Sequence, residues 1–260
     1  MNNYGTTTQS LFLRQAGKTS FSIPAGYAII KAELLPREMI RFMTIPLTEI
    51  NRAEVLQYLG WRGSEIPPEV SAQLDGCMNE LLSLAEPRVV WKLFQTDELP
   101  EDLLVGNDIR ALLAESPRCV LLAATLGGAL ENAIRRAQVR DMTRALMLDC
   151  CGSSAIEMVC DAAETQILGT LGSGYHLTDR FSPGYGDLPL TVQPCLLRAV
   201  DAARRIGLTL TPSGILTPRK SVTAIIGIAE RPQPHRFKGC AYCSMFENCT
   251  YRKAGKSCGK

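Results

Sequence analysis

Apolar positions along the 260-residue chain fall into runs of different period, and each period predicts a different element. Three-to-four spacing marks helices. Ile50, Ala53, Val55, Leu56 and Leu59 line one side of a segment that Thr48 can cap and Gly60 ends. Pro67-Pro68 opens a second helix, in which Val70, Leu74, Met78, Leu81 and Leu82 recur up to Ala85. A short helix fits Ile109 to Leu113, and another runs from Ala129 to about Gln138. The longest helical pattern spans Asp141 to about Leu168, with an interruption expected at Gly152. Thr191 is placed to cap a last helix carrying Leu196, Leu197, Val200, Ala203 and Ile206, with Gly207 as its stop.

Strand patterns are fewer. Arg88 to Gln95 sets Val89, Trp91 and Leu93 against Lys92 and Gln95, the alternation of a half-buried strand. Cys119 to Ala124 is a continuous apolar run suited to a central strand, and Ser221 to Ile228 is the most strand-like stretch in the chain. Leu208 to Leu210 predicts a short strand, residues 1–25 a loose polar arm, and residues 28–45 show no clean period. Helices and strands interleave irregularly through tight connections, which favour antiparallel pairing. The expected class is therefore α+β, an antiparallel sheet flanked by helices. The expected organisation is an N-terminal helical and strand region over residues 1–110, a core over 111–236, and a Cys-rich tail over 237–260.

Composition narrows the function classes. Hydrophobic residues make up 46% and charged residues 21%, ordinary for a globular chain. A net charge of +2 gives no electrostatic case for nucleic acid or a membrane surface. No apolar run reaches the ~18–20 residues of a membrane span, and the N-terminus lacks a charged region followed by an apolar core. The reading is a cytoplasmic protein. Its two histidines, His176 and His235, stand in no catalytic arrangement, and His176 is expected in a loop.

Chemistry concentrates in Asp179-Arg180-Phe181-Ser182-Pro183-Gly184-Tyr185-Gly186-Asp187-Leu188-Pro189-Leu190. Pro183 fixes its own φ and pushes Ser182 out of the helical region, while Gly184 and Gly186 admit backbone angles closed to other residues. The segment reads as a stiff loop presenting Arg180 and Tyr185. One connection earlier, Glu157, Asp161 and Glu164 fall at i, i+4 and i+7, an acidic stripe that by default is solvated surface. Thr125-Leu126-Gly127-Gly128 joins a strand to a helix and can in principle hold an anion. Close packing of helix on strand is the plainer reason for its glycines.

The order and spacing of TLGGALENAIRR, LDCCGSSAIEMVCDAAE, RFSPGYGDLPL and IGLTLTPSGILTPRKSVTAIIGI, over residues 120 to 230, resemble the reactivation domain of cobalamin-dependent methionine synthase. More specifically, the chain resembles the free-standing form, the activation subunit. The resemblance implies an α+β domain that binds S-adenosylmethionine and docks on a cobalamin-binding domain or subunit. There it serves reductive methylation of oxidised cobalamin, with a flavodoxin or ferredoxin as low-potential electron donor. Glu157, Arg180, Ser182, Gly184 and Tyr185 are the residues it assigns to the ligand. Arg180 can fork onto the α-carboxylate, Glu157 can meet the ammonium or a ribose hydroxyl, and Tyr185 can lie beside the sulfonium or the corrin edge. Ser182 stands where the larger enzyme often has Ala, in a contact made by backbone. No catalytic nucleophile or base is implied, because the work is positioning. The larger enzyme also uses an early acidic residue, for which residues 1–110 offer no assigned match.

The cysteines divide into two sets. Cys77, Cys119, Cys150, Cys151, Cys160 and Cys195 lie within apolar or helical pattern and read as small hydrophobes. Cys240, Cys243, Cys249 and Cys258 crowd the tail, in the arrangement expected of a metal site. A single C-x2-C knuckle favours a [4Fe–4S] cluster over zinc, which remains the alternative, as do unligated cysteines. Cluster potentials reach about −700 mV, low enough to pass an electron to a corrinoid. The other reading of the tail is a metal-binding interaction module, or a structural clip, with no small-molecule chemistry.

Overall fold

A computed structural model describes residues 39–61 and 65–233, with Glu247, Lys253 and Gly255 besides. Its centre is an antiparallel sheet of five strands in the order β1-β2-β3-β7-β4. These are β1 (Arg41–Thr44), β2 (Arg88–Gln95), β3 (Arg118–Thr125), β4 (His176–Leu177) and β7 (Ser221–Ala229). A separate two-stranded ribbon pairs β5 (Thr209–Leu210) with β6 (Leu216–Thr217). Among the described residues, seven α-helices accompany them: α1 (Arg52–Tyr58), α2 (Pro68–Leu84), α3 (Asn107–Leu113), α4 (Gly128–Arg140), α5 (Met142–Leu171), α6 (Gln193–Ala199) and α7 (Ala202–Ile206). The fold is α+β, as expected.

The sheet is covered on both faces, and the side-chain alternation of its strands divides the core in two. Val89, Trp91, Leu93, Val120, Leu122, Ala124, Ala224 and Ile226 join one apolar cluster with buried residues of α1, α2, α4 and α5. Val90, Cys119, Leu121, Ala123 and Ile225 join the other, with residues of α3, α6 and α7 and with Phe181 and Leu188. Double burial explains why β3 and β7 read as unbroken apolar runs and not as alternation. In β3, every residue after Arg118 is buried.

Three local expectations give way to the structure. Thr48 does not cap α1; Asn51 does, its side chain accepting the Glu54 N–H. The helix expected from Thr191 is split. Residues 190–192 form a 3-10 turn, α6 starts at Gln193, and Asp201 in the left-handed region (φ 53°) separates α6 from α7. Gly207 (φ 69°) does end α7. Gly152 does not interrupt α5, which runs unbroken for 30 residues. Its missing side chain makes room for Lys220: a Cβ there would lie 3.0 Å from Lys220 Cγ. Lys220 Nζ reaches across to Asp149 and donates to Ser153 Oγ, each at 2.9 Å. His176 sits in β4, paired with Ala229, and not in a loop.

Candidate ligand site on the long helix

The loop after β4 is built from its buried members outward. Phe181 is fully buried and joins the middle of β7 by a reciprocal pair of hydrogen bonds with Ile225, at 3.0 and 2.9 Å. Tyr185 N–H then donates to Ser182 C=O at 3.0 Å, and Gly184 N–H to Leu188 C=O at 2.8 Å. Gly184 (φ 95°) and Gly186 (φ 51°) supply the left-handed backbone this turn needs. The far end is locked to α3. The Asp187 carboxylate accepts the N–H groups of Asn107 and Asp108 at 2.6 and 3.1 Å, and Asp108 accepts the Asp187 N–H at 3.2 Å. Asp187 thereby caps a helix whose own N-cap, Gly106, has no side chain to do so.

This anchoring aims Arg180 at α5. Its Nη2 donates to Glu157 Oε2 at 2.7 Å, and its Nη1 to Asp161 Oδ1 at 2.9 Å and Glu164 Oε1 at 2.5 Å. The acidic stripe is therefore a clamp: spacings of four and three residues stack its carboxylates along one side of the helix, and one guanidinium spans them. Arg180 is 18% exposed, against 71% for Asp161. Burial alone would lower its pKa, but the carboxylates, Glu164 foremost, more than reverse that and hold the charge firmly.

Tyr185 is 58% exposed at the loop's tip. Its phenol is raised by partial desolvation and by the nearby Glu157 carboxylate, against the opposing pull of Arg180. A second phenol, Tyr58 at the end of α1, is pushed up to about 12 by desolvation, then by Glu54, Glu157 and Tyr185. Both rings stay neutral at physiological pH. Glu54 in turn accepts the Ser154 hydroxyl of α5 at 2.8 Å. Helix α1 thus brings Glu54 and Tyr58 to the same face of α5 as Glu157. Neither was singled out from the sequence, though both lie on the polar side of a recognisable amphipathic helix.

The structure brings Glu157, Arg180 and Tyr185 together, with Ser182 and Gly184 forming the turn between the latter two. Cys240, Cys243, Cys249 and Cys258 lie outside the described residues. The chain leading to them is held at Glu115, which accepts from Arg231 Nε and Gln233 Nε2 at 3.0 Å each. Among the described residues, no group of three or more His, Cys, Asp or Glu side chains is placed to hold a metal ion. No helix among them is long and apolar enough to cross a membrane. Gly127 has a left-handed backbone (φ 85°), and a Cβ there would lie 3.3 Å from Glu86 Cβ in the connection before β2, so backbone angle and close approach to that loop both favour glycine.

No family model matches the chain, and no curated protein is significantly similar to it. Among solved structures, it is similar to a crystal structure of the MetH reactivation domain bound to AdoHcy. The TM-score is 0.58 and the identity 13%, over 89% of this chain and 92% of that one. The likeness extends well beyond the central block that carries the sequence resemblance. The chain shares the fold of the MetH reactivation domain.

Proposed function

We propose that the chain binds S-adenosylmethionine between α5 and the Arg180 loop and acts as the activation subunit of a split cobalamin-dependent methionine synthase or related corrinoid methyltransferase. The observation that carries this reading is the convergence of Arg180, Glu157 and Tyr185 in a fold shared with a domain that holds the demethylated ligand. The residue chemistry fits the ligand. Carboxylates on α5 and α1 suit the ammonium and ribose hydroxyls, exposed phenols suit the sulfonium, and the loop backbone at Ser182 and Gly184 offers a rigid edge. On binding, Arg180 exchanges part of its carboxylate partnership for the ligand's carboxylate, while Glu157 turns to the ammonium.

The corrinoid, carried by the partner, supplies the reduced metal that accepts the methyl group. The contribution of this chain is to orient the donor and to exclude water with Tyr58 and Tyr185. Glu54 is the proposed counterpart of the early acidic residue of the larger enzyme. The tail thiolates Cys240, Cys243, Cys249 and Cys258 are proposed to hold a [4Fe–4S] cluster relaying electrons from a flavodoxin or ferredoxin. Iron and sulfide in protein purified without oxygen support the relay; stoichiometric zinc without iron removes it. For the main reading, the protein is mixed with a cobalamin-binding domain, a reductant and S-adenosylmethionine. A change of the corrin spectrum to the methylated form that requires this chain supports the proposal, and an unchanged spectrum counts against it.

A further inference from the structure

Charge at the site is unbalanced. Arg180 and Glu164, in contact at 2.5 Å, form one neutral pair. Glu157 and Asp161 share the same guanidinium at 2.7 and 2.9 Å and so add two further negative charges. Glu54, hydrogen-bonded to Ser154 one turn before Glu157 on α5, adds a third. Lys220, which packs over α5 at Gly152, is occupied by Asp149 at 2.9 Å, and Arg144 in the first turn of α5 by Glu80. Two half-exposed phenols, Tyr58 and Tyr185, border these carboxylates and lie close enough for Glu157 to raise the pKa of both. Carboxylates beside aromatic rings make an environment for a cation.

We infer that this site discriminates by ligand charge, binding the sulfonium of S-adenosylmethionine in preference to the neutral thioether of S-adenosylhomocysteine. The inference rests on the reading of the site given above. In the transfer, the acceptor supplies an electron pair to the methyl carbon and the C–S bonding pair stays on sulfur. The ligand's net charge falls from +1 to 0. The site that attracts the donor therefore loses its hold on the product, and turnover is drawn forward by release. One guanidinium offsets only one of the three carboxylates it spans, so the face stays negative whichever of them Arg180 holds.

The test is calorimetric titration of the full chain with S-adenosylmethionine, S-adenosylhomocysteine and sinefungin, whose amine supplies a cation in place of the sulfonium. At low ionic strength the two cationic ligands bind about tenfold tighter than the thioether. The ratio contracts as salt rises, because the Debye length shortens from ~30 Å at 0.01 M to ~8 Å at 0.15 M. Asp161→Asn keeps an oxygen for Arg180 but removes a charge. It lowers S-adenosylmethionine affinity about threefold and S-adenosylhomocysteine affinity by less, so the ratio between the two narrows. Equal affinity for sulfonium and thioether at low salt overturns the inference alone, as does a salt-independent preference in the unaltered chain. Binding of neither nucleotide overturns the functional reading and this inference with it.

Discussion

Arg180 and Glu157, 23 positions apart in the chain, meet at 2.7 Å between Nη2 and Oε2. The contact exists because Phe181 is fastened to Ile225 on one side of the sheet while α5 packs on the other, leaving Arg180 at the edge to reach around. Its removal strands Glu157, Asp161 and Glu164 beside one another. Arg180→Ala is expected to destabilise the fold by about 1–3 kcal/mol. That is below the cost of breaking a fully buried pair, because the carboxylates are partly solvated. Urea denaturation measures this, and the loss should shrink at high salt.

The loop's stiffness depends on two glycines that face the paired aspartates. A Cβ at Gly106 (φ 107°) would lie 2.3 Å from Asp187 Oδ1, and one at Gly186 (φ 51°) 2.2 Å from Asp108 Oδ2. Ala at either position is strained by its backbone angle; at 106 it collides with the Asp187 carboxylate that caps α3, and at 186 with the Asp108 carboxylate that accepts the Asp187 N–H. Each is expected to cost about 1–3 kcal/mol in thermal or chemical unfolding. Gly128→Ala is the control: open space surrounds that position and it opens α4, so stability should hold or rise.

Phe181 links the core to the site. It is fully buried in the cluster that contains Leu121, Ile225 and Leu196. Phe181→Leu keeps most of the volume and should cost under ~1.5 kcal/mol, whereas Phe181→Ala should cost about 3–5 kcal/mol. Ligand affinity should fall further in the Ala variant than in the Leu variant, measured by titration at a temperature where both are folded.

Buried thiols give a pH signature. Burial pushes Cys119 and Cys151 up to about 12, and Cys160 is raised in the same sense. Unfolded, each returns to the ordinary thiol range. The folded state thus binds more protons above pH ~9, so the thiols' contribution to stability is intact below that pH and declines towards pH 12. A disulfide-exchange reagent at pH 8 should leave these three unmodified until denaturant is added. Prompt labelling of Cys119 in the native chain would contradict the burial.

Elements whose pattern depends on local spacing were legible in the sequence. The expected strand Arg88 to Gln95 has the bounds of β2, and the apolar runs of β3 and β7 mark the sheet's centre. Thr48 and Thr191 were misleading because a capping residue type says only that a cap is possible; Asn51 and a 3-10 turn took those places. Gly152 looked like a break because no sequence window shows that Lys220, 68 residues later, lies over it. The acidic stripe was visible at its spacing, and its default reading as solvated surface failed for the same reason. Arg180 turns Glu157, Asp161 and Glu164 into a clamp only once the sheet has brought the loop to the helix. Glu54 and Tyr58 went unnoticed because nothing in α1 itself distinguishes them from an ordinary polar face.

Everything in the functional account depends on the ligand engaging the face where Arg180 meets α5. The deciding measurement is calorimetric titration of S-adenosylmethionine into the intact chain, and into Arg180→Ala at a temperature where both are folded. The unaltered protein is expected to bind at one site per chain, and the variant at least about a hundredfold more weakly, in line with the loss of a charge-assisted bidentate contact. Undiminished binding by Arg180→Ala would contradict it.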